Sequence, residues 1–185
     1  RLGLSLDQTG FDGNFKAIND YGHIGSKLHN EVPYQFKPKS ILKAKEEFGG
    51  LILWCDSPVF AKSNINHVFE YIKEHGVMLF DNIGYTIGDY TSDACLAKHG
   101  MTREESFKIP MVMAACMGFD TESPKAIEFL RRYNEASEDG VSYPGSWSNV
   151  NCEVSNDMRV MGHRHDQSVA SIIAYQMGIP FIKPK

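Results

Sequence analysis

Five consecutive residues near the carboxyl end of the chain, His163 to Gln167, bring together two imidazoles, a guanidinium, a carboxylate and an amide. Imidazole ligates metals and carries protons, guanidinium pairs with phosphate, and a carboxylate can serve as general base. The cluster can therefore bind a metal through His163 or His165, bind phosphate through Arg164, or accept a proton at Asp166. Asp166 also stands where an N-cap belongs, ahead of Val169, Ile172, Ile173 and Met177 at helical spacing. Gly178 and Pro180 end that helix. The pattern predicts a polar cluster at the positive end of a helix anchored in the core, a setting that suits an anion or a proton. The plainer alternative makes Asp166 a cap and the histidines surface loop residues.

A second candidate is Asp56, which ends the apolar run Leu51 to Cys55. A carboxylate at the tip of a buried strand suits a hard cation such as Mg²⁺ or Mn²⁺, which often bridges to a diphosphate. Asp56 can equally open a turn with Ser57 and Pro58. Lys37, Lys39, Lys43 and Lys45 read as a solvated helix face, with Lys37, just before Pro38, the one candidate for a site. The His-x-His-Asp pattern also occurs among di-metal hydrolases, but no second His/Asp cluster accompanies it here. Tyr143 and Trp147 lie in a loop where they could stack on a sugar or base, or plug the end of a sheet. Met111, Met113 and Met117 read as core.

The elements that must position these residues alternate. Leu2 to Leu6 predicts a strand, and a short helix is expected over 14–19. Ile41, Ala44 and Phe48 keep helical spacing after Pro38, up to Gly49-Gly50. The run 51–55 reads as a strand buried on both faces. A helix follows from Ser63 to Gly76, then an apolar strand over 77–80 ending in Asp81. Short helices are expected near 92–99 and 103–107, the second with a capping box from Thr102 to Glu105. Residues 109–119 read as a core strand, Ser123-Pro124 opens a helix, 137–157 is a long loop, and 181–182 is a last strand. Strands alternating with helices predict an α/β fold with a mostly parallel central sheet and helices on both faces. Ligands then bind beyond the carboxyl ends of strands, which puts Asp56 and Asp81 together near a site.

With 185 residues, 42% hydrophobic and 23% charged, the chain reads as a single soluble globular domain spanning 1–185. A net charge of −4 argues against a nucleic-acid footprint. Cys55, Cys95, Cys116 and Cys152 are widely spaced with no CxxC pair, which points to a reducing, cytoplasmic compartment rather than a disulfide framework. No run is long and apolar enough to span a membrane, and no signal peptide is expected. Because the chain opens on Arg1 and runs straight into Leu2 to Leu6, some N-terminal residues are expected to precede it.

Three segments in this order, Phe36-Lys-Pro-Lys-Ser-Ile-Leu, then the strand 51–55 with Asp56-Ser57, then His163-Arg-His-Asp-Gln-Ser-Val, resemble a group of nucleotide-sugar-dependent glycosyltransferases of the GT-A fold. The likeness runs over roughly 34–179. Residues 163–168 are its specific part, and Met117-Gly-Phe-Asp120 is similar to a strand-end segment such enzymes place under the acceptor. The sequence departs from the group where most metal-dependent members have Asp-x-Asp: Pro58 stands in place of the second carboxylate. The resemblance implies a GT-A-like (Rossmann-like) fold and transfer of a sugar from a nucleotide diphosphate donor to a glycan hydroxyl, as in polysaccharide biosynthesis. It implies Asp166 as catalytic base if the enzyme inverts. Asp56, Ser57, Lys37, Arg164 and Gln167 would then bind the donor, and Asp56, His163 and His165 would ligate Mn²⁺ or Mg²⁺, unless the donor is held without metal. The competing expectations are an inactive sugar- or nucleotide-binding module and, further off, a metal-dependent hydrolase.

Overall fold

The computed structural model describes residues 2–183. In chain order the elements are α1 (Leu2–Gln8), α2 (Phe36–Phe48), β1 (Leu51–Cys55), α3 (Asn66–His75), β2 (Val77–Thr86), α4 (Asp93–Lys98), α5 (Arg103–Ser106), β3 (Pro110–Asp120), α6 (Pro124–Glu138) and α7 (His165–Gln176), with 3₁₀ turns at Gly88–Tyr90 and Val150–Cys152.

The mostly parallel sheet expected from the sequence is not what forms. Three strands make an antiparallel sheet in the order β1-β3-β2. The alternation β1-α3-β2 misleads for a physical reason. Each outer strand runs opposite to β3, so β1 and β2 do run parallel to each other, as a crossover unit requires. The later strand β3 enters between them in the reverse direction. Apolar runs such as 51–55 arise whenever both faces of a strand are covered, whatever its direction. Successive residues of β3 show that coverage: a side chain at Gly118 would collide with Ile72 of α3, whereas Phe119 packs on Phe129 of α6.

Other expectations also give way. Leu2 to Leu6 is helical in α1, with Leu6 buried and Leu4 71% exposed. No helix forms over 14–19. The last strand shrinks to one parallel bridge, Phe80 to Ile182. Asp81 does not end its strand, because β2 continues to Thr86. The short helices and the Thr102 cap on the Glu105 amide form as the sequence predicts.

The core packs α6 and α7 on β3 through Met117, Phe119, Phe129, Leu130, Tyr133, Val169, Ile172 and Ile173. Rather than showing the core one face, α7 is buried nearly all round from His165 to Ala174. That depth brings its first turn inside the molecule. Its buried serines are satisfied locally. Ser171 Oγ donates to the Gln167 carbonyl and accepts from the Val112 amide at 2.9 Å, and Ser168 Oγ donates to Tyr90 O. No helix among the described residues is long and apolar enough to cross a membrane.

Candidate functional site

The site grows out of an irregularity in β3. Opposite β2 the register jumps from Leu79↔Met117 to Phe80↔Met113, so Ala114, Ala115 and Cys116 bulge away from β2. A bulge frees ladder groups and re-aims them, and it is a common device beside active sites. Here it frees the Ala114 carbonyl, which accepts a hydrogen bond from Lys37 Nζ at 3.1 Å.

Lys37 lies in the first turn of α2, which Gln35 ties to the end of α6 by donating to Ser137 O at 2.8 Å. The side chain reaches inward until only 2% of it is exposed, between two carboxylates, Asp166 Oδ2 at 2.7 Å and Asp56 Oδ1 at 3.2 Å. An ammonium has three N–H donors, and all three are used. Asp56 is held from its own strand, where the Trp54 indole N–H donates to Oδ1 at 2.8 Å, two residues away on the same face. Asp166 belongs to the first turn of α7 and takes a long contact of 3.5 Å from Tyr133 OH on Oδ2. It is not the N-cap: Arg164 holds that position, and no side chain caps the helix. Asp56 and Asp166, 110 positions apart by number, thus share one cation in one cleft.

Tyr34, Asn82, Met113, Ala115, Trp147, Arg164 and Gln167 complete the wall of this cleft, whose volume is about 170 Å³. That is below the ~300–1,000 Å³ of sites that enclose a whole drug-sized ligand. The Arg164 guanidinium is sandwiched 4.3 Å from both the Tyr90 and Trp147 rings. Two residues that are not glycine hold left-handed backbone around it, Tyr34 (φ 61°) and His165 (φ 45°), and their rings stack with centroids 5.7 Å apart. Strain of this kind persists only where surroundings enforce it, and it concentrates at functional sites.

Electrostatics follow from burial. Desolvation pulls the Lys37 ammonium down, but Asp166 and Asp56 more than offset it and hold the group above its ordinary value. Burial pushes Asp166 above the usual carboxylate range against the pull of Lys37, with Asp56 adding to the rise. Burial likewise raises the Tyr34 phenol.

The histidines turn inward. His163 accepts from the Ser92 amide on Nδ1 (3.2 Å) and its Nε2 donates to Ser142 O (3.0 Å), so both nitrogens are occupied by backbone. Burial, with His165 beside it, drives its pKa down to about 3. His165 donates from Nδ1 to Tyr143 O at 2.8 Å, and its Nε2 is buried without a partner. The expected metal role of His163 therefore fails on geometry: no lone pair is left to give. Lys37, expected on the donor, lines the cleft but is almost wholly buried, with its ammonium engaged by Asp166, Asp56 and the Ala114 carbonyl. Among the described residues no group of three or more His, Cys, Asp or Glu side chains is placed to hold a metal ion.

Of the expected donor residues, Lys37, Arg164 and Gln167 line the cleft with Asp56, whereas Ser57 is exposed on the turn beyond it. Asp81 lies in a separate apolar groove with Ile109, Tyr175 and Phe181, so Asp56 and Asp81 do not share a site. Sequence reasoning passed over Tyr34, Trp54, Asn82 and Tyr133. Only Trp54 carried a signal, its i, i+2 spacing from Asp56 on a strand. Compared with known proteins, the chain matches no family model, no curated protein and no solved structure.

Proposed function

We propose that the cleft transfers a sugar from a nucleotide diphosphate donor to a hydroxyl of a glycan. The observation that carries this reading is the convergence of Asp56 and Asp166 on Lys37 in a cleft that also holds Arg164 and Gln167. The motif residues that resemble those of glycosyltransferases thus meet in space, although they come from opposite ends of the chain.

The chemistry divides between the two carboxylates. The acceptor hydroxyl attacks the anomeric carbon, the bond to the diphosphate oxygen breaks, and the hydroxyl proton passes to Asp166, an inverting single displacement. Both side-chain contacts of Asp166 fall on Oδ2, which leaves Oδ1 for that proton. A carboxylate raised above its usual range is better matched to this task than an ordinary aspartate. Arg164, stacked and so fixed in orientation, meets the charge of the leaving diphosphate, and Gln167 hydrogen-bonds sugar hydroxyls. Asp56 stands on the diphosphate side. Its contacts with Trp54 and Lys37 both fall on Oδ1, so Oδ2 is the oxygen that fits a hard Mg²⁺ or Mn²⁺ ion. Such an ion, when bound, would neutralise diphosphate charge, without a ligand from His163. A hydrolase using paired histidines draws no support from imidazoles turned to backbone carbonyls.

The test is a panel of nucleotide sugars with glycan acceptors, read for transfer and for slow donor hydrolysis, with and without Mn²⁺, on wild type, Asp166→Asn and Arg164→Met. The expectation is turnover with one donor, lost by about 10²–10⁴ in Asp166→Asn. Donor binding with no turnover in the wild type would assign the chain to the binding-module class instead.

A further inference from the structure

A pair of thiols lies behind the cleft. Cys55 ends β1 and faces Cys116 in the bulge of β3, as register partners in the antiparallel pair. The ladder fixes which kind of pair this is. The Asp56 amide donates to Ala115 O at 2.8 Å, and the Thr121 amide donates to Gly50 O at 2.9 Å. Hydrogen-bonded pairs therefore fall on even-numbered β1 positions, and Cys55/Cys116 is a non-hydrogen-bonded pair. Such pairs have Cα atoms about 4.5 Å apart and their side chains closest, inside the ~4.4–6.8 Å range that a disulfide needs. Both thiols are free and half-buried. Cys95 is sealed in the core and Cys152 is exposed on its own loop.

The two sulfurs are unequal. Cys55 is pushed well above the ordinary thiol range, first by its hydrogen bond to Cys116 and then by burial. The same hydrogen bond holds Cys116 below that range. A thiolate-prone cysteine beside a second thiol that can resolve it is the arrangement of redox-sensitive pairs.

We propose that Cys55 and Cys116 are a redox modification site, closing to a reversible cross-strand disulfide with a peroxide as the oxidant. The Cys116 thiolate attacks one peroxide oxygen, the O–O bond breaks, and the departing hydroxide takes a proton to leave as water. The Cys55 sulfur then attacks Cys116 sulfur, the S–O bond breaks, and the hydroxyl leaves with the Cys55 proton as a second water. Two thiols are oxidised and one peroxide is reduced. The bond ties edge strand β1, which carries Trp54 and leads into Asp56, to the bulge that presents Ala114 O to Lys37. The site stands apart from the reaction proposed above, since neither sulfur lines the cleft: Asp56 does, and Cys55 next to it points to the opposite face.

The test treats the full reduced chain with hydrogen peroxide and counts thiols, then maps peptides without reduction. Two thiols should be lost per chain, the Cys55 and Cys116 peptides should be linked, and dithiothreitol should restore both. Cys55→Ser should stop at a sulfenic acid on Cys116 that dimedone traps, and neither Cys55→Ser nor Cys116→Ser should form the intramolecular disulfide. A wild type whose Cys55 and Cys116 peptides remain unlinked, or whose disulfide forms only between chains through Cys152, overturns the proposal.

Discussion

Replacing Lys37 by methionine tests the centre of the site directly, because the side chain keeps its length and loses its charge. In the wild type the ammonium satisfies Asp166, Asp56 and the Ala114 carbonyl together. Without it, Asp166 becomes a carboxylate only 5% exposed with no opposite charge beside it. Breaking a buried ion pair from one side costs about 3–5 kcal/mol. Asp56 adds little, since its side chain is 31% exposed and keeps the Trp54 donor. With a urea m-value of about 2 kcal/mol/M, Lys37→Met should lower the unfolding midpoint by about 1.5–2.5 M. Asp166→Asn should cost less, about 1.5–3 kcal/mol, because one charge-assisted hydrogen bond is weakened and Lys37 keeps Asp56. The double variant should be more stable than the sum of the two losses by about 1–3 kcal/mol, the coupling expected of groups in contact. The loss in Lys37→Met should also shrink as the pH falls and Asp166 takes up a proton, which abolishes the unpaired charge. If Lys37→Met unfolds within about 1 kcal/mol of wild type, with no dependence on pH and no coupling to Asp166→Asn, the ion cluster does not hold this fold together.

Other outcomes follow from the same geometry. His163, held neutral by burial and by backbone partners on both nitrogens, binds its proton more weakly folded than unfolded. Stability should be intact above the unfolded value near 6.5 and fall as the pH drops toward about 3, with about 3 kcal/mol gone by pH 4, read as an acid-shifted urea midpoint that flattens in His163→Gln. Lys37 has the opposite sign: its contribution is full below about pH 10.4 and should disappear as the pH rises past its raised folded value, seen in alkaline melts. Gly162→Ala should destabilise by about 1–3 kcal/mol, since the new methyl runs into the Trp147 carbonyl, a backbone atom that cannot rotate away. Trp147→Ala should change the melting temperature little but weaken binding of a sugar-containing ligand about tenfold, by calorimetry, because a half-exposed wall of the cleft and one face of the Arg164 sandwich are removed.

What the sequence made legible was local, and what it hid was long-range pairing. The Thr102 cap on the Glu105 amide, the stop at Gly76, the Ser123-Pro124 helix start and the apolar strands all depend on neighbours within a few residues, and they form where the pattern puts them. The direction of β3 depends on whether it enters between β1 and β2 or beside them, and apolar content is the same either way. Asp166 shows how this reaches the site. Its place near a helix start looked like a cap, a role worth about 0.5–2 kcal/mol that asparagine would fill as well. The structure removes that role and supplies another, since the cap position falls two residues earlier and the carboxylate is buried against Lys37. The basic run after Phe36 contained the partner, and its place before Pro38 marked Lys37 as the candidate, but the burial that separates it from Lys39, Lys43 and Lys45 is not written in the run. Burial in turn depends on the β3 bulge, whose freed carbonyl takes the ammonium's third hydrogen bond. No spacing rule reveals a bulge between two segments not yet known to be paired. A motif read along the chain can thus nominate Asp56, Lys37 and Asp166 separately, but the ion cluster that joins them is a property of the sheet.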